Sequence, residues 1–395
     1  MESLAPRLDV SPCADWEAGG FGVYIHWPFC QHKCPYCDFN SHVVRGVDQE
    51  AWAAALAAEL GHLRGMTGPR AVGTVFFGGG TPSLMRAETV ARLLETVDLL
   101  WGLARGAEIT LEANPTSAEA AAFRGYRAAG VNRLSLGVQA LDDTDLRALG
   151  RMHSVAEALA AFDTARAVFD RVSFDLIYAR MGQSAAAWEA ELGRALDLAV
   201  DHLSLYQLTI EDGTRFHDLW AAGKLRLPAD AAAAEMYALT AAMTASAGLP
   251  AYEVSNHARP GAESRHNLVY WRYGDYAGAG PGAHGRLTTS DGRIATETAR
   301  APGAWMAAVA RDGHALTARE TLSGPEQGTE YLLMAMRLSE GADIDRYARL
   351  SGRAVPETAL AALLADGLVS RQGSRIAATS AGRLVLNRVI GALLD

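Results

Sequence analysis

Three of the chain's four cysteines fall within eight residues, in the run Cys30-Gln-His-Lys-Cys34-Pro-Tyr-Cys37. Three thiolates at this C-x3-C-x2-C spacing can occupy three iron corners of a cubane cluster, and such clusters are normally held by four cysteines. A missing fourth ligand leaves one iron open to a small molecule, which turns an electron carrier into a chemical reagent. Taken alone, the run admits two other readings. Cys34 and Cys37 suit a redox pair, and the three cysteines with His32 suit a Cys3His zinc site. Neighbouring cysteines in a chain of this size point to metal or redox chemistry and not to a disulfide framework. Cys13, in a lead that reads as disordered, is expected to be a free thiol.

These residues must be positioned by something. Six short apolar runs recur, at 22–27, 73–78, 108–113, 133–138, 171–178 and 202–209, and alanine-rich stretches of helical period separate them. Trp52, Leu56 and Leu60, four apart, show that period. Strands alternating with helices imply βαβ units around a parallel sheet, and six units imply a partial (β/α)6 barrel. The polar and glycine-rich features stand where strands end. The cysteines follow the first strand and GGGTP the second, Glu112 ends the third and Gln139 the fourth, and Asp175 lies late in the fifth. In parallel α/β folds the C-terminal strand ends face the ligand.

The expected organisation is a lead over 1–20, a core over 21–286, a connecting segment over 287–319 and a C-terminal unit over 320–395. Within the core, 215–250 read as long helices and 251–286 as functional loop. The C-terminal unit reads as three helices and a hairpin turning at Gly373, which together make a winged-helix-like domain. Between 321 and 395 there are eight arginines, no lysine and eight acids, so this unit is neutral and suits docking or structure better than DNA. The net charge of −9 likewise argues against a nucleic-acid partner. The acidic N-terminus reads as no signal peptide, no apolar run reaches membrane-span length, and a cytoplasmic location is expected.

The cysteine spacing, with Tyr36 before the last cysteine, resembles the signature of the radical S-adenosylmethionine superfamily. Over residues 22–286 the chain is similar to its coproporphyrinogen III oxidase-like branch, and most of all to the HemW-type heme chaperones. That resemblance implies a [4Fe–4S] cluster on Cys30, Cys34 and Cys37 whose open iron is chelated by S-adenosylmethionine, an electron from the cluster then cleaving the sulfonium to a 5′-deoxyadenosyl radical. It further implies that Gly79, Gly80 and Thr81 pass beside the methionine part, that Glu112 meets ribose hydroxyls or the amine, and that Tyr24 lies beside the cofactor. Gln139, Arg151 and Asp175, with Tyr36 and Thr81 nearby, correspond to a second S-adenosylmethionine position.

Two features separate chaperone from oxidase on this resemblance. The oxidase carries a further cysteine two residues after the third ligand, where this chain has Phe39. The run His266-Asn267-Leu268-Val269-Tyr270-Trp271 resembles the chaperones' heme-associated motif. It suggests heme on the face formed by residues 255–285 near the open end of the barrel, with His266 as iron donor, Tyr270 and Trp271 as cover and His284 close by. The partners then implied are heme, heme-acceptor proteins, an electron donor such as a flavodoxin or ferredoxin, and peripheral membrane contact. The alternative function is a radical enzyme acting on a porphyrin. One departure stands out. Where the family has Gly-Leu-Pro after the fifth strand, this chain has Ala179-Arg180-Met181.

Overall fold

Alternation along the strands decides which side of the sheet each residue serves. Six strands lie parallel in sequence order: β1 (Phe21–Trp27), β2 (Val72–Gly79), β3 (Leu103–Ala113), β4 (Arg133–Gln139), β5 (Arg171–Tyr178) and β6 (His202–Gln207). They are the six runs read from the sequence. The computed structural model describes residues 12–395, of which Pro12–Ala18 form a 3-10 helix where disorder was expected; residues 1–11 and the Cys13 thiol lie outside what it describes. Every second residue, among them Val23 and Ile25, Val75 and Phe77, Leu134 and Leu136, and Leu203 and Leu205, joins one apolar core. The residues between them, polar apart from Phe76 and the glycines, turn into the lumen, where Thr74 meets His266 and Ser135 meets Asp175.

Helices close the apolar side. They include α1 (Gln49–Thr67) and α2 (Ala87–Trp101), α3 (Asp143–Ala148) and α4 (Val155–Val168) between β4 and β5, and α5 (Ala185–Leu198) between β5 and β6. Asp48 caps α1 by accepting from the Ala51 amide, and Trp52, Leu56 and Leu60 are buried as their spacing requires. Ser154 and Glu157 form a capping box at the start of α4.

The sheet continues past the barrel on both sides. Next to β6, β7 (Asn256–Ala258) runs antiparallel. The helix α6 (Arg265–Trp271) follows, and β8 (Asp275–Ala279) then pairs parallel with β1. Beyond it come β9 (His284–Thr289), β10 (Gly292–Thr298) and β11 (Leu316–Thr321), all antiparallel, to make eleven strands. Two expectations are corrected here. Half of the segment 251–286 is strand or helix. The stretch 287–319 is no connector, because Leu287, Ile294, Trp305 and Val309 are buried in the main core and Trp305 stacks on Trp52 with ring centres 5.1 Å apart.

The C-terminal unit has its own core, including Leu332, Tyr347, Ile376 and Val389. The helices α7 (Gly324–Ala335), α8 (Ile344–Ser351) and Glu357–Ala365 precede a hairpin of Val369–Gln372 and Arg375–Ala378, with Gly373 at φ 62° in its turn. Asp15 fastens this unit to the barrel: it pairs with Arg346 of α8 at 2.7 Å and lies 4.0 Å from Arg293 of β10.

Glu59 of α1 shows how the added strands are held. Its buried carboxyl accepts from the Gly280 and Ala315 amides at 2.8 and 2.9 Å and from the Trp305 indole at 2.9 Å. Removing it strands three buried donors at once. Glu59→Ala should therefore cost roughly 3 kcal/mol or more, read as a lowered urea midpoint. A loss below 1 kcal/mol would show that this carboxyl is dispensable.

Candidate functional site

The cysteine loop leaves β1 and is strapped to the glycine run that ends β2. The Gly80 amide donates to Trp27 O at 2.7 Å and the Thr81 amide to Phe29 O at 2.8 Å. A Cβ on Gly80 would sit 2.7 Å from Phe29 O and 3.0 Å from the Cys30 sulfur, so only glycine fits. Gly79, at φ 114°, bends the backbone beside it. From below, the Phe216 amide donates to Pro35 O at 2.9 Å, and Gly150 presses against the Pro35 ring.

Each thiol has its own support. Thr81 Oγ1 donates to Cys30 Sγ at 3.4 Å, Arg151 Nη1 donates to Cys34 Sγ at 3.4 Å, and Ser41 Oγ lies 4.0 Å from Cys37 Sγ. Asn114 joins the first two supports. Its amide nitrogen donates to Thr81 Oγ1 at 3.3 Å, and its oxygen accepts from Arg151 Nη2 at 2.7 Å. Glu119 in turn accepts from the Asn114 backbone at 2.8 Å and from Ser83. Sequence reading missed Asn114 and Glu119, although the Asn-Pro that closes β3 marks the loop they occupy.

A cavity of about 470 Å³ opens at these strand ends. Its wall holds Cys30, Cys34 and Cys37 together with Tyr36, Gly79, Gly80, Thr81, Glu112, Gln139, Arg151 and Asp175. Tyr24 lies in the lumen outside this lining, its hydroxyl 2.9 Å from His26 Nδ1 and its ring stacked on Phe76. Gln139 adopts φ 75°, a left-handed conformation uncommon for its residue type, and its amide reaches back to within 2.9 Å of where a Gly137 Cβ would be.

Burial sets the protonation of the cavity. It raises the Cys30 and Cys37 thiols above their ordinary range, so they keep their protons until a metal displaces them. At the cavity base burial, and after it the charge of Asp175, pushes the Glu112 carboxyl up to about 8, the Gly79 amide offsetting only part. Burial likewise raises Asp175 to about 6, against hydrogen bonds from Ser204 and Ser135 and the charges of Arg133 and Arg151. Two neighbouring acids held this way suit a ligand that brings positive charge to them.

The donor set can be tested against the metal readings. Among the described residues, no group of three or more His, Cys, Asp or Glu side chains converges as the ligands of a single ion do. The three thiols instead share the wall of a roomy cavity, beside the Gly80 cradle and a buried Arg151 Nε with no partner. Three soft sulfurs with space for a small ligand fit a cluster with one open iron.

The residues expected to meet heme lie elsewhere. His266 is 1% exposed. Its Nδ1 is 2.8 Å from Thr74 Oγ1 and its Nε2 2.7 Å from the Tyr270 hydroxyl. Its backbone amide donates to Glu108 at 3.1 Å, and its ring stacks on Phe76 at 5.0 Å. Burial, and after it Arg133, pushes the imidazole down to about 3. Thus α6 plugs the N-terminal floor of the lumen and offers no free nitrogen. The expectation of an iron donor at His266 near the open end of the barrel is corrected by this burial on the floor. Asn267, Tyr270 and Trp271 lie on the same plug, Asn267 donating its amide to Ser264 Oγ at 3.4 Å. His284 is exposed on β9, 4.0 Å from Glu297, and does not line the cavity.

Comparison with known proteins settles the family. Residues 24–190 match the Radical SAM superfamily model and residues 322–385 the HemN C-terminal domain model. A Mycobacterium tuberculosis protein named heme chaperone HemW is 40% identical over 378 residues, 95% of this chain and 95% of its own. The chain belongs to the radical SAM superfamily, in its HemW/HemN-type branch. Escherichia coli HemW is 37% identical over 93% of this chain and 96% of its own. The bovine mitochondrial radical S-adenosyl methionine domain-containing protein 1 is 44% identical over 81% of this chain and 73% of its own. Among solved structures, the coproporphyrinogen III oxidase HemN of E. coli superposes with a TM-score of 0.78 at 24% identity, over 96% of this chain and 92% of that one, a likeness of fold. Radical SAM membership implies S-adenosylmethionine and [4Fe–4S] chemistry.

The loop after β5 departs from the family pattern in a defined way. Ala179 sits at φ 54°, where a side chain is strained. Arg180, 3% exposed, bridges Asp145 of α3 and Glu191 of α5 at 2.6 Å each. Ala179→Gly should relieve the strain and stabilise the protein by about 1 kcal/mol; a denaturant midpoint that falls would contradict this. Glu112 gives a pH-dependent expectation. Its folded pKa exceeds the ordinary 4.5, so stability is intact below pH 4.5 and is lost as pH rises through about 8. Glu112→Gln removes that loss. The variant free of ligand should be more stable than the parent at pH 9 by roughly 2 kcal/mol, with the difference gone near pH 4.5. Thermal melts across this range check it.

Proposed function

We propose that this chain binds heme and transfers it to acceptor proteins, carrying a [4Fe–4S] cluster on Cys30, Cys34 and Cys37 with exchangeable S-adenosylmethionine against it. The observation that carries the reading is the end-to-end similarity to bacterial proteins named heme chaperones, 95% of both chains in one case. Phe39 supports it. At the position where the resemblance places a further oxidase cysteine, its ring is 59% exposed and has no thiol to offer.

In this reading Thr81, Arg151 and Ser41 hold the three cysteine sulfurs in place. Gly79 and Gly80 let backbone lie against the methionine part of the ligand, and the Glu112 and Asp175 pair faces its cationic groups. Gln139 and Arg151 line the adjoining wall. When bound, the cluster supplies an electron to the sulfonium. The partners in this reading are unidentified heme-acceptor proteins and a reductant such as a flavodoxin or ferredoxin, with no nucleic acid. The location is the cytoplasm with peripheral membrane contact. Among the described residues, no helix is long and apolar enough to cross a membrane.

Anaerobic reconstitution should give a brown protein with about four irons per chain, and Cys30→Ala, Cys34→Ala and Cys37→Ala should each lose them. The same preparation should bind hemin and leave coproporphyrinogen III unchanged. Zinc in place of iron–sulfur, or appreciable protoporphyrinogen formation, would falsify this assignment in favour of a zinc protein or a porphyrin-modifying radical enzyme.

A further inference from the structure

We propose that the iron porphyrin seats across the mouth of the cysteine-lined cavity, with the His32 imidazole as its iron donor. This rests on the heme-binding reading above and moves the site from α6 to the cysteine loop.

The first argument is availability of a donor. A ligand to heme iron needs a free nitrogen or sulfur. Of the eleven histidines, His266 has both ring nitrogens engaged and is buried on the floor. Two histidines belong to the cavity wall. His153 is buried, and its Nε2 donates to Val138 O at 3.0 Å. His32 is exposed midway between Cys30 and Cys34, and its ring has no hydrogen bond to the described residues.

The second argument is cover. A porphyrin presents two broad apolar faces, and apolar side chains gain by leaving water on them. Large hydrophobic residues left in water are usually scattered, and several around one opening mark a binding surface. Phe39, Met152 and Tyr206 are 59%, 78% and 41% exposed, and all three line this one cavity. Phe39 and Met152 come from the cysteine loop and the turn after α3, and Tyr206, at the end of β6, faces inward towards Asp175 and Glu112.

The third argument is charge. A heme carries two carboxylates, and Lys33, exposed beside His32, is one of only two lysines in the chain. Its ammonium lies 3.4 Å from Ser41 O, a single neutral contact that leaves it free to pair with an anion. A donor nitrogen, an apolar frame and a cation on one concave rim are what an iron porphyrin requires. A protein partner needs no imidazole donor, and a lipid surface would meet a convex patch.

Hemin titration of the cluster-loaded chain, followed by its Soret band, tests the placement. Iron content is measured before hemin is added. His32→Ala should shift the Soret band and raise Kd at least tenfold with iron content unchanged. Phe39→Ser combined with Met152→Ser should raise Kd severalfold while leaving the band in place, because the donor remains. His266→Ala should leave the band where it is; if that variant does not fold, Thr74→Val loosens the same plug and should behave likewise. The placement is overturned if the parent binds hemin while His32→Ala leaves band and Kd unchanged, or if the His266 or Thr74 variant alone shifts the band. Failure of the parent to bind hemin at all removes the heme reading and this placement together.

Discussion

The structure depends on one constraint: six parallel strands carry apolar residues on one side and polar residues on the other. Burying the apolar set under helices gives the barrel its stability. It also commits Thr74, Glu108, Arg133, Ser135, Ser173 and Asp175 to an enclosed lumen, where each must find a partner or raise its cost. Arg133 lies 3.9 Å from Glu108 and donates to Ser173, and Ser173 donates to Ser135, which donates to Asp175. This polar chain ends at the cavity, and so the carboxyl pair there is an outcome of how the barrel is filled.

The cysteine loop shows the same economy. A network of side-chain donors passes from Cys30 through Thr81, Asn114 and Arg151 to Cys34. It joins residues from the ends of β2 and β3 to the segment after α3. Rigid spacing between the sulfurs therefore comes from two strand ends and the segment after α3 acting together.

Much of this was legible in the sequence. The six strands follow from short β-branched runs at helical separations, and the cysteine cluster follows from spacing, because both signals are local. The heme-motif residues were misplaced because their decisive partners are distant. His266 meets Thr74 and Glu108, 192 and 158 residues away. A seven-residue helix is also too short for its period to reveal which of its faces is buried. Residues 287–319 misled for a related reason: antiparallel edge strands such as β11 are half exposed, and their alternation is weak. Asn114 carries no motif of its own, and its role appears only when Thr81 and Arg151 are brought beside it.

The plug formed by α6 makes the barrel a well and not a tube. Thr74, Glu108 and Tyr270 close on His266, so nothing drains through the bottom. Molecules that share such a well must queue. Whatever lies deepest has to arrive first and depart last, and anything seated over the mouth sets the residence time of what lies below it, with no contact between the two required. Order of loading is thereby written into the shape of the fold, as a stack in which the last to enter is the first to leave.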